Sequence, residues 1–225
     1  MKIVFDLETV RKYEKLSLAD EKYKAAWEYT CKSRYPETDP EEAYEKHAGL
    51  HPEFGTIICM CAIDSVSKKM ATFRIDHPAG ELGMLKSIHA YLEKLTAEHG
   101  AIPVLVGHRI KSFDIPYLIT RMLANDLKIP AVLQQNGRKP WEKNVIDTYD
   151  AWKGGEYQTT QAASLVAICM VLGIPTPKDD IDGSQVADVF FGPDPFRVDR
   201  ICKYCENDTQ ATAQIFNQMI LRGVF

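Results

Sequence analysis

Long apolar runs are missing from this chain of 225 residues, and so is an excess of positive charge. No stretch approaches the roughly 20 apolar residues that span a bilayer, so we predict no membrane segment. The first residues lack the basic and apolar regions of a signal peptide, which makes the cytoplasm the expected location. The formal net charge of −4 argues against a protein that coats nucleic acid by bulk electrostatics. This net charge is compatible with an enzyme that binds only a few nucleotides.

Cysteine patterns typical of disulfide scaffolds or zinc sites are also lacking. Among the six cysteines, Cys202 and Cys205 form a CxxC motif. A zinc site would need a second ligand pair at suitable spacing, and the sequence shows none. A thioredoxin-like CxxC opens a helix after a first strand, whereas this one lies inside a helical pattern. We therefore interpret the cysteines as packing thiols, with metal or redox chemistry as the alternative.

The apolar pattern predicts a single α/β domain over residues 1–225, with a helical insertion at about 11–52. Three early strands precede alternating helices and strands, which predicts a mixed five-stranded sheet flanked by helices, as in a ribonuclease H-like fold. The strands are predicted at 2–8, 56–64, 69–76, 103–106 and 144–148. The helices are predicted at 18–33, 40–48, 80–97, 114–124, 160–172, 184–191 and 195–221.

Acidic residues in three short motifs are the most informative feature of the chain. Asp6 and Glu8 end the first predicted strand and, being two residues apart, project from one face of it. Asp114 follows Phe113 at a predicted helix start, where it either caps the helix or faces the mouth of the sheet. Each motif alone is also typical of ordinary solvated or capping acids.

Tyr204 and Asp208 complete the set on the last predicted helix. They are four residues apart and therefore share one face of that helix, which is either catalytic or a solvated polar face. Carboxylates gathered from distant parts of one chain are typical of a site for hard cations. Such a site suits Mg²⁺ or Mn²⁺ and the chemistry of phosphate esters.

Together the motifs appear in the order DxE, FD and YxxxD, on a strand, a helix start and the final helix. In these motifs the chain resembles the DEDD superfamily of 3′–5′ exonucleases, in its tyrosine-containing branch, DEDDy. It is most similar to the predicted 3′–5′ exonuclease family related to the proofreading domain of family B DNA polymerases. The stretches that carry the resemblance are VFDLET, GHRIKSFDIPYL, DIDGSQV and YCENDTQAT.

The resemblance implies a metal-dependent nuclease that releases nucleoside 5′-monophosphates from the 3′ end of single-stranded DNA, with RNA as the second choice. Two Mg²⁺ or Mn²⁺ ions would be held by the carboxylates, and Tyr204 would orient the attacking water. DNA repair or nucleotide recycling would be its role, and the sequence indicates no particular protein partner. The implied catalytic residues are Asp6, Glu8, Asp114, Tyr204 and Asp208, and the four acids among them are the implied metal ligands.

Further residues near these motifs are candidate substrate contacts. Phe113 and Tyr117 either stack on the terminal base or pack in the core. Leu7 either wedges beside that base or stays buried in its strand. Lys178 and Ser184 either approach phosphate or belong to a turn that ends in a helix cap at Ser184. The full set is Leu7, Thr9, Arg109, Phe113, Tyr117, Lys178 and Ser184.

One departure from the family pattern bears on activity. Related sequences usually carry asparagine where Arg109 stands, and this arginine either contacts a phosphate or points to solvent. The alternative function is therefore a catalytically weak or inactive nucleic-acid-binding protein that retains the fold. A thiol oxidoreductase that uses the CxxC motif is a third hypothesis. Asp147 and Asp150 either support the site or cap a strand end, and His108 is assigned no catalytic role.

Overall fold

The computed structural model describes residues 1–139, 142–155, 163–176 and 180–225. Its strands are Lys2–Arg11 (β1), Gly55–Asp64 (β2), Met70–Arg74 (β3), Val104–Gly107 (β4) and Val145–Asp147 (β5). The α-helices in these residues are Glu21–Arg34 (α1), Pro40–His47 (α2), Glu81–His99 (α3), Asp114–Ala124 (α4), Thr148–Trp152 (α5), Leu165–Leu172 (α6), Val186–Phe191 (α7) and Arg197–Leu221 (α8). No helix in the described part of the chain is long and apolar enough to cross a bilayer.

The five strands form one mixed sheet in the order β3-β2-β1-β4-β5. β1 pairs antiparallel with β2, and β2 pairs antiparallel with β3. β4 lies parallel to β1 on its other edge, and β5 lies parallel to β4. The meander followed by parallel crossovers confirms the predicted ribonuclease H-like arrangement, with helices flanking the sheet.

β1 is the central strand, and it is longer than predicted. Ile3, Val4 and Phe5 are all buried, as expected for a strand covered on both faces. The predicted end at residue 8 is wrong, because residues 9–11 continue the pairing with the first residues of β2. The register shifts between Glu8 and Thr9, so that β2 contributes one extra residue at this point. Such a bulge redirects the side chains beside it.

The chain between β1 and β2 forms the predicted helical insertion. Asp39 caps α2 by accepting the amide of Glu41 at 2.9 Å, and Pro40 occupies the first turn, as the sequence predicts. Trp27 is fully buried and donates its indole N–H to the Pro40 carbonyl at 2.8 Å. The insertion thereby buries a small core of its own, made by Leu16, Trp27, Cys31, Ala43, Tyr44, Ala48 and Phe54.

A buried ion pair joins the sheet to two helices beside the insertion. Arg121 in α4 donates two hydrogen bonds to Glu81 in α3, from Nε at 2.9 Å and from Nη2 at 2.6 Å. Glu81 also accepts the amide of Ile57 in β2 at 2.9 Å. Both side chains are less than one-tenth exposed. The pair is therefore satisfied only while α3, α4 and β2 keep their places.

Replacing Glu81 with leucine is expected to cost about 3–5 kcal/mol of unfolding free energy, because the buried Arg121 would lose its counter-charge and keep only its bond to the Pro52 carbonyl, and the Ile57 amide would lose its acceptor. Urea unfolding measures the loss. The matched control is Glu98→Leu, which removes the acid of an exposed helical pair with Lys94 and should change stability by no more than about 0.5 kcal/mol. Equal losses in the two variants would contradict the prediction.

Candidate active site

Two acids enter the site from β1. Asp6 pairs across the sheet with Cys61 and Glu8 with Cys59, so both carboxylates project from the same face. Glu8 is 8% exposed. The carboxylate oxygens of both residues and the sulfur of Cys205 all lie within 4.8 Å of one another. The two acids thus project from one face of the strand, as their spacing of two residues predicts.

Asp114 reaches the same place from the first turn of α4. It is 3% exposed, and its Oδ1 accepts the backbone amide of Leu7 at 3.1 Å. Phe113 occupies the cap position of the helix without a capping side-chain hydrogen bond. The capping alternative for Asp114 is therefore wrong. Its carboxylate faces β1 at the residue that separates Asp6 from Glu8.

Helix α8 supplies the remaining acid and the tyrosine. The Tyr204 hydroxyl lies near the carboxylate of Asp208, one helical turn away. The Oδ1 atom of Asp208 is buried and has no hydrogen-bond partner among the residues that the structure describes. A buried carboxylate oxygen without a partner is costly unless a cation or a donor occupies the space in front of it.

The acids perturb one another strongly. Burial and the nearby carboxylates raise the pKa of Asp6 and of Glu8 well above their ordinary values. Burial raises the pKa of Asp114 from 3.8 to about 7 and that of Asp208 to about 6. Without a cation the site therefore holds protons near neutral pH. We call this group the carboxylate cluster: Asp6, Glu8, Asp114 and Asp208.

The carboxylate cluster fits a divalent metal ion. Its donors are carboxylate oxygens, which hard cations such as Mg²⁺ and Mn²⁺ prefer. The unpartnered oxygen of Asp208 and the raised pKa values both indicate negative charge that lacks compensation within the described residues. A divalent cation would relieve the repulsion and would favour the ionised form of every acid in the cluster.

Tyr204 keeps its proton in this setting. Burial and the charges of Asp208, Glu8 and Asp6 raise the pKa of its hydroxyl far above the ordinary value. The neutral phenol can donate one hydrogen bond and accept others. Its place beside the acids suits it to orient a water molecule rather than to remove a proton from one.

The loop before α7 borders this tyrosine. A side chain on Gly183 would lie 3.7 Å from the Tyr204 hydroxyl, and Arg200 in α8 binds Asp180 of the loop at 2.6 Å. Ser184 is exposed and donates both its amide and its hydroxyl to Asp182. The predicted cap at Ser184 is wrong, because α7 begins two residues later. Lys178 lies outside the described residues.

Most other candidate substrate contacts are engaged in packing. Tyr117 is 1% exposed, which leaves no ring face for a base, and its hydroxyl donates to the Gly49 carbonyl at 2.9 Å. Leu7 is 4% exposed and belongs to the core. Thr9 donates to the same Gly49 carbonyl at 2.8 Å and ties the insertion to β1. Phe113 is half-buried against Tyr117 and keeps part of its ring accessible.

A buried aspartate supports the site from β5. Asp147 is 4% exposed and accepts the backbone amides of Arg109 and Lys111 at 2.9 and 3.2 Å. It also caps α5 through the amide of Tyr149 at 2.9 Å. Asp147 thus orders the loop that leads to Asp114, and the element that it caps is helix α5 and not the strand end of the other alternative. An aspartate at a strand end was the signal for this role.

The residue that departs from the family pattern has an unusual backbone. Arg109 has a φ of 62°, in the left-handed region, and its guanidinium carbon lies 4.2 Å from the centroid of the Tyr149 ring. Its side chain is exposed and rests on that ring. Neighbouring His108 contacts Thr148 at 3.0 Å, and burial lowers its pKa to about 4, so that its ring is neutral.

Comparison with known proteins first identifies the class of fold. The family B DNA polymerase of the hyperthermophilic archaeon Pyrobaculum calidifontis superimposes with a TM-score of 0.65 at 13% sequence identity. The match covers 97% of this chain but only 24% of the polymerase chain. At this identity the likeness shows the ribonuclease H-like fold alone.

The family follows from the sequence match. Residues 50–224 match a family described as predicted 3′–5′ exonucleases related to the exonuclease domain of PolB. The chain belongs to this family, which confirms the resemblance seen in its motifs. An uncharacterized protein of Methanocaldococcus jannaschii is 26% identical over 136 residues, or 57% of this chain and 71% of that protein.

The metal-free protein is expected to lose stability as the pH rises from about 4 to about 7. The folded state holds the Asp114 proton to about pH 7, whereas the unfolded chain releases it near 3.8. The unfolded state therefore binds fewer protons in this window, at a cost of about 1.4 kcal/mol per pH unit for each proton. Urea unfolding in EDTA at about pH 5 and about pH 8 measures the loss, and Mg²⁺ should reverse it at the higher pH.

Asp114→Asn separates this effect from general acid effects. The amide keeps an acceptor for Leu7 but cannot ionise, so the variant should show a flatter pH profile and less stabilisation by Mg²⁺. Asp199→Asn, which changes an exposed acid on α8, should keep the wild-type profile. Identical profiles for wild type and Asp114→Asn would refute the assignment.

The backbone at Arg109 predicts an inverted order of stability for two small substitutions. Both Arg109→Gly and Arg109→Ala remove the contact with Tyr149, but only glycine adopts the left-handed conformation without strain. The glycine variant should therefore be more stable than the alanine variant by about 1 kcal/mol. At Glu28, which is exposed within α1, the order should be reversed by a similar amount. Chemical denaturation of the four variants tests this, and the same order at both positions would count against it.

Proposed function

We propose that this protein is a metal-dependent 3′–5′ exonuclease of the DEDDy type. It would shorten single-stranded DNA from the 3′ end and release nucleoside 5′-monophosphates, with RNA as the second substrate. The family supports a nuclease, and the likeness to a DNA polymerase favours DNA. DNA repair or nucleotide recycling in the cytoplasm is the role we infer.

The observation that carries the proposal is the convergence of four acids, of which Glu8 and Asp114 are buried and Asp6 and Asp208 are half-buried. β1, α4 and α8 converge on one place, and each contributes carboxylates that repel the others. A protein that only bound nucleic acid would gain nothing from this repulsion, since acids also repel phosphate. In a cation-dependent reaction at a phosphodiester, by contrast, the clustered carboxylates would hold the cation.

Different residues of the chain would have different roles in this reaction. The carboxylate cluster would hold two Mg²⁺ or Mn²⁺ ions, which when bound supply Lewis acidity at the scissile phosphate. Tyr204 would donate or accept a hydrogen bond at the attacking water and so fix its approach. Asp147 would keep the loop before Asp114 in place by holding two of its amides. Phe113 is the aromatic ring available to contact the terminal nucleotide.

Arg109 does not weigh against catalysis in this arrangement. Its side chain rests on Tyr149, and its left-handed backbone accounts for the asparagine of related sequences, because asparagine tolerates that conformation better. A backbone requirement thus offers a reason for the asparagine that does not involve catalysis.

The test uses a 5′-labelled single-stranded DNA oligonucleotide and its RNA counterpart, each with Mg²⁺, Mn²⁺ or EDTA. A ladder that shortens from the 3′ end, needs a metal and yields 5′-monophosphates is the expected result. Asp6→Asn and Asp208→Asn should each reduce the rate at least about 100-fold. Tyr204→Phe should reduce kcat by about 100-fold, because it removes one oriented hydrogen-bonding group, and should leave KM nearly unchanged.

Two controls match these substitutions in chemistry but not in position. Asp199→Asn removes an acid from α8 outside the carboxylate cluster, and Tyr29→Phe removes a hydroxyl from an exposed ring on α1. Both should retain wild-type rates. If folded wild-type protein binds the oligonucleotides but shortens neither in any metal, the nucleic-acid-binding alternative replaces the proposal.

A further inference from the structure

A second cluster of metal-binding side chains lies behind the carboxylate cluster. Cys59 and Cys61 project from the same face of β2 as Asp6 and Glu8 do from β1. Cys202 and Cys205 are three residues apart and share one face of α8, which packs on that side of the sheet. The second cysteine pair that the sequence seemed to lack is therefore present in space. We call the four the thiol cluster.

Three of the four sulfur atoms are close enough together to share one ion, and the fourth lies beside one of them. Cys59 Sγ lies 3.4 Å from that of Cys202 and 3.8 Å from that of Cys61. The sulfurs of Cys59, Cys61 and Cys205 all fall within 4.8 Å of one another. Four thiolates at 2.3 Å from a tetrahedral zinc ion are about 3.8 Å apart. Cys202 lies beside Cys59 but outside this group of three, so its side chain would have to move toward the other sulfurs to complete a site with four ligands.

We propose that the thiol cluster binds one soft divalent metal ion, with Zn²⁺ as the natural occupant. Two ligands would come from a CxC on β2 and two from the CxxC on α8. The ion would cross-link the central sheet to the helix that carries Tyr204 and Asp208. It would be structural, since four protein ligands leave no open position for a substrate.

This site is chemically distinct from the carboxylate cluster. Thiolates select zinc and similar soft ions, whereas carboxylate oxygens select Mg²⁺ and Mn²⁺. Cys205 marks the boundary, with its sulfur 3.7 Å from an oxygen of Asp6. A cation bound in the carboxylate cluster would reduce the repulsion between these two residues, so occupancy of the two sites should be linked.

The surroundings offer partial charge compensation and an access route. Four thiolates and Zn²⁺ carry a net charge of 2−, and the positively charged Arg74 lies on the same cavity as Cys202. Cys202 is 5% exposed and lines an open cavity of ≈ 340 Å³ with Thr72, Arg74 and Glu206. The other three sulfurs lie deeper. A metal ion would therefore enter from the Cys202 side.

The experiment measures zinc in the full-length protein purified in a thiol reductant without chelators. Plasma mass spectrometry should find one zinc per chain. Replacement of the zinc by Co²⁺ should give the intense sulfur-to-cobalt charge-transfer absorption and the visible bands of tetrahedral thiolate ligation. These bands arise only from sulfur ligands, so ions in the carboxylate cluster do not contribute to them.

Matched variants locate the ion. Cys59→Ser and Cys202→Ser should lose the charge-transfer bands and at least about 100-fold in metal affinity. Cys31→Ser and Cys169→Ser, which alter buried cysteines outside the cluster, should keep one zinc per chain. Asp208→Asn should keep the cobalt spectrum even if it abolishes nuclease activity, which separates this proposal from the proposed function.

Two results would overturn the proposal, and both are read on wild-type protein. Folded protein that binds no zinc and shows six free thiols after denaturation would make the cluster a packing feature. Protein with four free thiols and no metal would indicate a disulfide, for which Cys59 and Cys202 are the closest pair of sulfurs that the structure records. Neither outcome depends on a variant that folds.

Discussion

Gathering four buried or half-buried carboxylates in one place costs free energy, because each loses water and gains like-charged neighbours. The rest of the structure must supply what holds them in place. β1 pairs with β4 through residues 2–4 and with β2 along almost its whole length, and the pairing with β2 includes Asp6 and Glu8 and holds their backbone in place. The long helix α8 lies across the sheet and is held there by a broad apolar contact. The strain of the site is therefore borne by backbone pairing and core packing.

The position of Asp114, the acid that α4 contributes to the site, depends on a chain of hydrogen bonds. Asp147 at the end of β5 holds the loop that leaves β4, and that loop places Asp114 at the start of α4. Asp114 in turn accepts a hydrogen bond from a backbone amide of β1, which connects the start of α4 to the central strand. The buried pair of Glu81 and Arg121 holds the far end of α4 against α3 and β2. Two buried polar networks thus secure both ends of the helix.

Much of this could be predicted from local patterns. The consecutive apolar residues before Asp6 indicated a strand covered on both faces, and helical periodicity located α3 and α8 to within a few residues. The local sequence patterns gave wrong predictions where the structure depends on contacts with other parts of the chain. β1 continues past Glu8 because the start of β2 pairs with it. Ser184 does not cap α7, and its hydroxyl donates a hydrogen bond to Asp182 instead. Tyr117 is buried because Gly55 leaves room for its hydroxyl and the Gly49 carbonyl accepts its hydrogen bond.

Apart from the short helix α5, the sequence by itself determined the kinds of element that the structure describes, their order and the residues able to bind a hard cation, because periodicity and residue chemistry are local properties. Only the tertiary structure decided which of those residues meet. It brings Asp6, Glu8, Asp114 and Asp208 to one buried place and gives them perturbed pKa values. It also unites Cys59 and Cys61 with a CxxC that lies 143 residues further along the chain from Cys59. Contacts between distant segments depend on how strands pair and helices pack, and no spacing within a single motif records them.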